Sequence, residues 1–439
     1  MILLLIIADD FTGALDTGVQ FAAHGVSTRV IVDPEVDFSA YHDSVLVIDT
    51  ETRHLAAGEA FDIVARLTRK AREAGIRYIY KKTDSALRGN IGAELAAVLT
   101  ASGCKSLPFL PAFPQTGRVT REGVHYVDGV PVTESPFGID PFEPVVHSVV
   151  TELIGEQCQL PAFSFPALSE ASQAPSQEGI LVFDASTPSD LLETGKKLAE
   201  ADMLSIMAGC AGFGAVLPEL LDIAPDRLAA LPKLDPRLLV VCGSVNSITL
   251  AQLDRAEKAG FSRLRLSRNR SWNRDTGRQS GEKRRFRHRD MLASHSHCII
   301  ESNDLGGNQP TADYAAALGI DRETLRVRIS GCLGYLVGEI FTSPSLGTLL
   351  LTGGDTLLQC MNCVGIKELE PVCEMEKASC WPASPTAAAP ATLSPSRAAS
   401  ATKNCCSTLQ TALQQSKFIA VCVFNAQATS ANCISQICR

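Results

Sequence analysis

The stretch Ile2-Leu3-Leu4-Leu5-Ile6-Ile7-Ala8-Asp9-Asp10-Phe11-Thr12-Gly13-Ala14-Leu15-Asp16-Thr17-Gly18 sets the fold class. A continuous apolar run from Ile2 to Ile7 is what a strand buried on both faces requires, and such strands belong to parallel sheets. Two carboxylates follow at once, with Thr12 and Gly13 at the turn, and an amphipathic helix then carries Val19, Phe21 and Ala22. Polar groups where a buried strand turns into a helix are where open α/β sheets bind ligands. Paired Asp at such a tip suits sugar hydroxyls or Mg²⁺. Asp10 or Thr12 as a plain helix cap is the simpler reading, and one residue can cap while Asp9 faces a ligand.

The same grammar recurs downstream. Tyr78-Ile79-Tyr80 reads as a buried strand, followed by Lys81-Lys82-Thr83-Asp84-Ser85-Ala86-Leu87-Arg88-Gly89-Asn90-Ile91-Gly92-Ala93, which opens a helix. Cations, a carboxylate, a hydroxyl, a guanidinium and an amide converge there, as an anionic ligand requires; a solvated turn capped by Ser85 is the alternative. Val45 to Ile48 is a strand ending in Asp49-Thr50-Glu51-Thr52-Arg53, and Ala60 to Ala74 is helical. Leu107 to Leu110, Ile180 to Phe183 and Leu204 to Ala208 are further strands. The alternation predicts an α/β fold of two domains, each a mostly parallel sheet flanked by helices, with Asp9, Asp10, Arg53 and Asp84 lining one sheet edge.

Residues 115–147 break the pattern with an irregular excursion and one short hairpin. A loop this long is usually functional. Arg118 within it has the reach to meet a substrate anion; an exposed arm, or a contact between the subunits of a homodimer, weighs about equally.

Pro232 to Pro236 reads as a linker, so residues 1–231 form a first domain and 237–377 a second. Leu238 to Val241 is a strand leading into Cys242-Gly243-Ser244-Val245-Asn246-Ser247-Ile248-Thr249, and a helix follows over Leu250 to Ala259. Gly347 to Thr356 repeats the pattern: a strand, the pair Gly353-Gly354, then Asp355 and Thr356 opening a helix. Backbone N–H groups at such turns bind phosphates, and Asp355 is placed to hold Mg²⁺ or accept a hydroxyl proton. A tight turn capped by Thr356 is the plain alternative.

The 439 residues carry a net charge of −8, which argues against a nucleic-acid partner. The apolar start lacks a basic flank and meets Asp9 at once, so it reads as a core strand, not a leader. No apolar run is long enough to cross a membrane, so the reading points to the cytosol. Fifteen cysteines, nine of them from Cys360 onward, fit no tidy disulfide or zinc framework.

Taken jointly, Asp9-Asp10-Phe11-Thr12-Gly13, Glu51-Thr52-Arg53, Lys82-Thr83-Asp84-Ser85 with Arg88-Gly89-Asn90, Gly117-Arg118, Gly243-Ser244 and Gly353-Gly354-Asp355-Thr356 resemble the four-carbon acid sugar kinase family. The resemblance runs from residue 1 to about 265 and from about 291 to 377. It implies an ATP-dependent, Mg²⁺-using kinase acting on threonate, erythronate or 3-oxotetronate. It also implies an amino-terminal acid-sugar domain and a carboxyl-terminal nucleotide domain. By that resemblance Asp9, Arg53 and Lys82 to Ser85 meet the substrate, and Ser244 and Gly353 to Thr356 meet ATP. Arg53, Lys82 or Arg88 suits the acid's carboxylate, and Asp9 and Asp84 suit its hydroxyls. Asp10, Asn90 and Arg118 complete the expected substrate set, and either Asp84 or Asp355 takes the hydroxyl proton.

The family's last ATP motif, Lys-Ser/Ala-Gly-Gly-Phe-Gly, is missing. Arg268 to Arg289 is dense in Arg, and Ala378 to Arg439 is rich in Ala, Ser, Thr, Pro and Cys. Codons permitted for Ser396 to Lys403, read one base earlier, encode Lys-Ser-Gly-Gly-Phe-Gly-Asp-Glu. The reading that follows is two frame-shifted, poorly ordered segments, 268–290 and 378–439, and its alternative is a binding-only or decayed kinase.

Overall fold

The computed structural model describes residues 2–140, 144–169, 171–226, 235–245, 247–266, 290–304, 309–341, 343, 346–372, 422–425 and 434–435. The segments read as frame-shifted lie outside these residues, except for 290, 422–425 and 434–435. The chain divides into two compact units, Met1–Ala230 with Glu370–Cys373, and Leu231–Leu369 with Glu374–Arg439.

The first unit contains β1 (Leu4–Ala8), α1 (Phe11–Ala23), β2 (Thr28–Ile31), β3 (Val45–Asp49), α2 (Ala57–Glu73), β4 (Tyr78–Lys82), α3 (Ile91–Ser102) and β5 (Ser106–Leu110). A hairpin of β6 (Arg118–Arg121), β7 (Val124–Val127) and β8 (Val130–Pro131) follows. Then come α4 (Val150–Gln157), β9 (Ala162–Phe165), β10 (Gly179–Phe183), α5 (Pro188–Glu200), β11 (Ile206–Gly209), α6 (Ala211–Gly214) and α7 (Leu217–Leu220). Eight strands run parallel in the order β2-β3-β1-β4-β11-β5-β10-β9. Leu4, Leu5, Ile6 and Ile7 are fully buried, as the unbroken apolar run requires of a strand covered on both faces. Each such side chain contributes about 1.5–3 kcal/mol.

The chain leaves β1, builds β2 and β3 on one side, then crosses to β4 on the other. The order therefore reverses between β1 and β4, where an open α/β sheet forms its ligand crevice. Two strands of this sheet, β2 and β9, are not legible as apolar runs in the sequence. Arg29 interrupts the apolar run of β2, and β9 is an edge strand with Phe163 and Ser164 exposed.

The second unit holds β12 (Leu238–Cys242), α8 (Ser247–Lys258), β13 (Ser262–Arg265), β14 (His297–Glu301), α9 (Gln309–Ala317), α10 (Arg322–Ile340), β15 (Thr348–Thr352) and α11 (Gly354–Val364). Its parallel strands lie in the order β13-β14-β12-β15. Cys422–Asn425 pairs antiparallel with β15, and Ile434–Ser435 pairs with Cys422–Asn425 in turn.

Cys104, Cys158, Cys210, Cys242, Cys298, Cys332, Cys360 and Cys363 are free thiols, and among the described residues no cluster of His, Cys, Asp or Glu is built to hold a metal ion. Nor is any helix among them long and apolar enough to cross a membrane.

Candidate functional site

Register places the chemistry of the first unit. Ala8 lies opposite Lys82 on the neighbouring strand, so Asp9 and Thr83 leave the sheet side by side at the switch point. Asp10 caps α1, its Oδ1 accepting from the Gly13 amide at 3.0 Å, and Asp9 is left to face the crevice. Arg53, only 8% exposed, reaches in from the loop after β3. Its Nε donates to Asp9 Oδ2 at 2.8 Å, its Nη1 to Asp10 Oδ2 at 2.9 Å, and its Nη2 lies 3.7 Å from Asp84 Oδ1. Arg88 takes Asp84 bidentately, Nε to Oδ2 and Nη2 to Oδ1, both at 3.0 Å. The backbone amides of Ala86 and Arg88 also donate to Asp84 Oδ2.

These contacts set the charges. Burial opposes ionisation of Asp9, but Arg53, Lys81 and Lys82 outweigh it and hold the carboxyl below its usual range. Burial likewise works against the Asp84 carboxylate, and Arg53 and Arg88 overcome it by a wide margin. Asp10 goes the other way, because burial pushes it up more than Arg53 pulls it down.

Lys82 is the cation with fewest ties. Its Nζ donates to the Thr83 carbonyl at 2.8 Å and sits beside Asp10. A Cβ on Gly13 would lie 2.5 Å from both Lys82 Nζ and Asp10 Oδ1, so the close approach of these groups requires glycine there. Two buried oxygens of this site, Asp9 Oδ1 and Thr83 Oγ1, have no hydrogen-bond partner among the described residues.

Other expected residues hold the loops instead. Asn90 donates its amide to the carbonyls of Thr52 and Leu55, each at 2.9 Å. Ser85 does not cap α3; Asn90 occupies that position, without a side-chain cap. The Ser85 carbonyl accepts from His125 Nε2 at 2.9 Å, which leaves Nδ1 to accept from the Thr120 hydroxyl. Burial pushes the His125 ring down to about 4, so it is neutral near pH 7. Arg118 donates to the Thr116 carbonyl and, like Arg88, stands over the Phe137 ring. A cavity of about 210 Å³ opens beside Arg53, Arg88, Asn90, His147, Glu156 and Gln157. Leu87 and Glu51, one in each site loop, adopt left-handed backbone conformations with φ of 65° and 48°. Neither is glycine, so both loops carry local strain.

In the second unit Cys242 lies opposite Thr352, bringing the Gly243-Ser244 and Gly353-Gly354 turns together at the carboxyl ends of β12 and β15. A Cβ on Gly243 would collide with Thr356 Oγ1, and Gly353 has φ of 98°. The two turns thus form a cradle that side chains at these glycines would fill. Asp355 is half-exposed and pairs with Arg326 Nη1 at 2.5 Å. Asn303, unforeseen in the sequence, clamps the Ser244 carbonyl at 3.1 Å and the buried Glu301 at 3.3 Å.

Residues 4–217 match the family model of a sugar-binding N-terminal domain, and 239–415 that of a nucleotide-binding C-terminal domain. The chain is 33% identical over 370 residues to the D-threonate kinase of Salmonella typhimurium, covering 80% of this chain and 84% of that protein. The chain belongs to the four-carbon acid sugar kinase family. Similarity to two further members of that family is partial. It is 32% to the D-erythronate kinase of Heliobacterium modesticaldum, over 58% of this chain and 60% of that one. It is 29% to the 3-oxo-tetronate kinase of Pseudomonas fluorescens, over 56% and 62%. A Salmonella typhimurium LT2 crystal structure described as a tRNA synthase shares the fold, with a TM-score of 0.72 at 21% identity over 85% of this chain and 90% of that one.

Proposed function

We propose that this chain is an ATP-dependent kinase of a four-carbon sugar acid, bound where β1 and β4 end. The observation that carries this is that Asp9 and Thr83, which follow the paired residues Ala8 and Lys82 at the switch point, each bury a side-chain oxygen, Asp9 Oδ1 and Thr83 Oγ1, without a hydrogen-bond partner among the described residues. An unpaired buried polar atom costs about 1–3 kcal/mol, and a polyhydroxy acid supplies the missing partners. Arg53 and Arg88 are committed to the aspartates, which leaves Lys82 to pair with the substrate carboxylate.

In this reading Asp84 is an anchor and a poor base. A useful proton acceptor titrates near the working pH, and Asp84 is held far below it with both oxygens occupied. The proton is therefore assigned to Asp355, which is half-exposed at the glycine turn of the second unit. ATP fits the glycine cradle of the second unit, where Ser244, Gly353, Gly354, Asp355 and Thr356 would hold its phosphates through backbone N–H groups and a hydroxyl. Mg²⁺ would come with the nucleotide, supplying charge neutralisation at the phosphates. The sugar acid is the small-molecule partner, a homodimer is the expected assembly, and the chain works in the cytosol.

Thr83→Val tests the reading. Because Oγ1 has no protein partner, the melting temperature should hold within about 2 °C while the affinity for D-threonate or D-erythronate falls about tenfold. Unchanged affinity for both acids would sink it.

A further inference from the structure

Lys81 and Glu94 lie outside the substrate set described above, yet both are fully buried directly beneath it. Lys81 Nζ meets Glu94 Oε2 at 3.0 Å and donates to the carbonyls of Ile7 at 3.2 Å and Lys82 at 2.8 Å. The ammonium thus ties α3 by its charge and β1 and β4 by hydrogen bonds. Glu94 Oε1 accepts from the Thr52 hydroxyl, and Thr52 Oγ1 lies 2.8 Å from Thr50 Oγ1. Thr50 donates in turn to the Ala8 carbonyl at 2.7 Å. The residue after Thr52 is Arg53, whose backbone amide donates to the Asp9 carbonyl at 3.2 Å.

Burying an ion pair in this way is a poor route to stability, since an apolar pair of similar volume usually does as well or better. Its geometry serves another end. It ties the ends of two strands, one helix and the Thr50–Arg53 loop to a single point under Asp9. Glu94 stands 42 positions from Thr52 in the chain, so the pair fixes a long-range relation that no local turn can enforce.

We infer that Lys81 and Glu94 are a positioning pair, which acts through Thr52 to aim the Arg53 guanidinium at Asp9 and Asp10 and so keeps the crevice shaped for the acid sugar. This deepens the proposed function and rests on it.

The test is the full-length double variant Lys81→Met/Glu94→Met beside the unmodified chain, with D-threonate and D-erythronate titrated calorimetrically and melting recorded. Neutral, shape-filling replacements keep the core packed, so melting should stay near that of the unmodified chain. Affinity for the acid that the unmodified chain binds should drop about tenfold or more, the scale of one lost charge-assisted contact. A double variant that melts and binds like the unmodified chain overturns the inference. If the double variant does not fold, Thr52→Val decides, because it cuts only the link to the loop: the same loss of affinity supports the pair's role, and unchanged affinity overturns it. An unmodified chain that binds neither acid defeats the kinase reading instead. The crystal structure of Thr52→Val then decides the inference, which fails if Arg53 still contacts both Asp9 and Asp10.

Discussion

Arg53→Ala removes the guanidinium that touches three aspartates. In the folded chain its Nε lies 2.8 Å from Asp9, its Nη atoms 2.8 and 2.9 Å from Asp10, and Nη2 3.7 Å from Asp84. Removing one partner from a buried charge network costs about 3–5 kcal/mol, because the remaining charges stay uncompensated. A unit of this size melts lower by about 2–4 °C for each kcal/mol, so the expected drop near pH 7.5 is roughly 6–20 °C. The pH dependence gives the sharper check. Asp9 and Asp84 have depressed values in the native fold, so the stability they contribute is present above their unfolded value of about 3.9 and is lost as pH falls through the folded values. Without Arg53, burial and mutual repulsion raise Asp9 and push Asp10 further up, while Arg88 still holds Asp84 down. The variant therefore loses stability as pH climbs past about 4, and regains it by protonation as pH falls. The gap between the two proteins should be widest at pH 7 to 8 and close toward pH 4.5. Scanning calorimetry at several pH values reads this directly. A gap that is the same at pH 4.5 and pH 8, or a drop under about 2 °C throughout, would refute the idea that Arg53 compensates the aspartates.

Two further outcomes follow from the same geometry and from the missing motif. His125 is buried and neutral with its value lowered to about 4, so the unfolded chain binds the extra proton and stability is lost as pH falls from about 6.5 toward 4; His125→Gln should flatten that slope, which approaches about 3 kcal/mol across the window, and an unchanged acid-melting profile would count against it. Rewriting residues 378–439 in the shifted frame restores the Gly-Gly-Phe-Gly loop; it should lower the KM for ATP and raise turnover while leaving the affinity for the sugar acid alone, and equal turnover by the two chains would remove the case for a frame shift.

Much of the architecture was written in local patterns. The apolar run of β1 and the polar tip that follows it reported burial, strand direction and the crevice together, because one short segment carries all three signals. Residues that the site holds in common, such as Asp9, Arg53 and Asp84, were legible for the same reason: each follows a strand, and parallel strands deliver their ends to one edge. The sequence could not say how these groups would divide the work. Arg53, Arg88 and Asn90 read as ligand contacts, yet the fold turns them largely inward, to carboxylates and carbonyls 35 to 44 positions away or, for Arg88, within its own loop.

What escaped the sequence shares a physical trait. Glu94 sits on α3 among Ile91, Leu95, Ala97 and Val98, all buried, and a lone carboxylate on such a helix has to find a cation. That was a readable warning. Its partner Lys81 was visible only as one of two adjacent lysines, and strand alternation sends such neighbours to opposite faces of a sheet. Lys82 emerges beside Asp10 at the crevice, while Lys81 turns beneath it to Glu94. Which lysine meets substrate and which supports the floor depends on strand phase at a sheet edge, and a one-residue change in that phase would exchange their roles. The pairing Lys81↔Ile7 and Lys82↔Ala8 fixes that phase, and in the function proposed above the acid sugar is given to Lys82 and the loop that aims Arg53 to its neighbour.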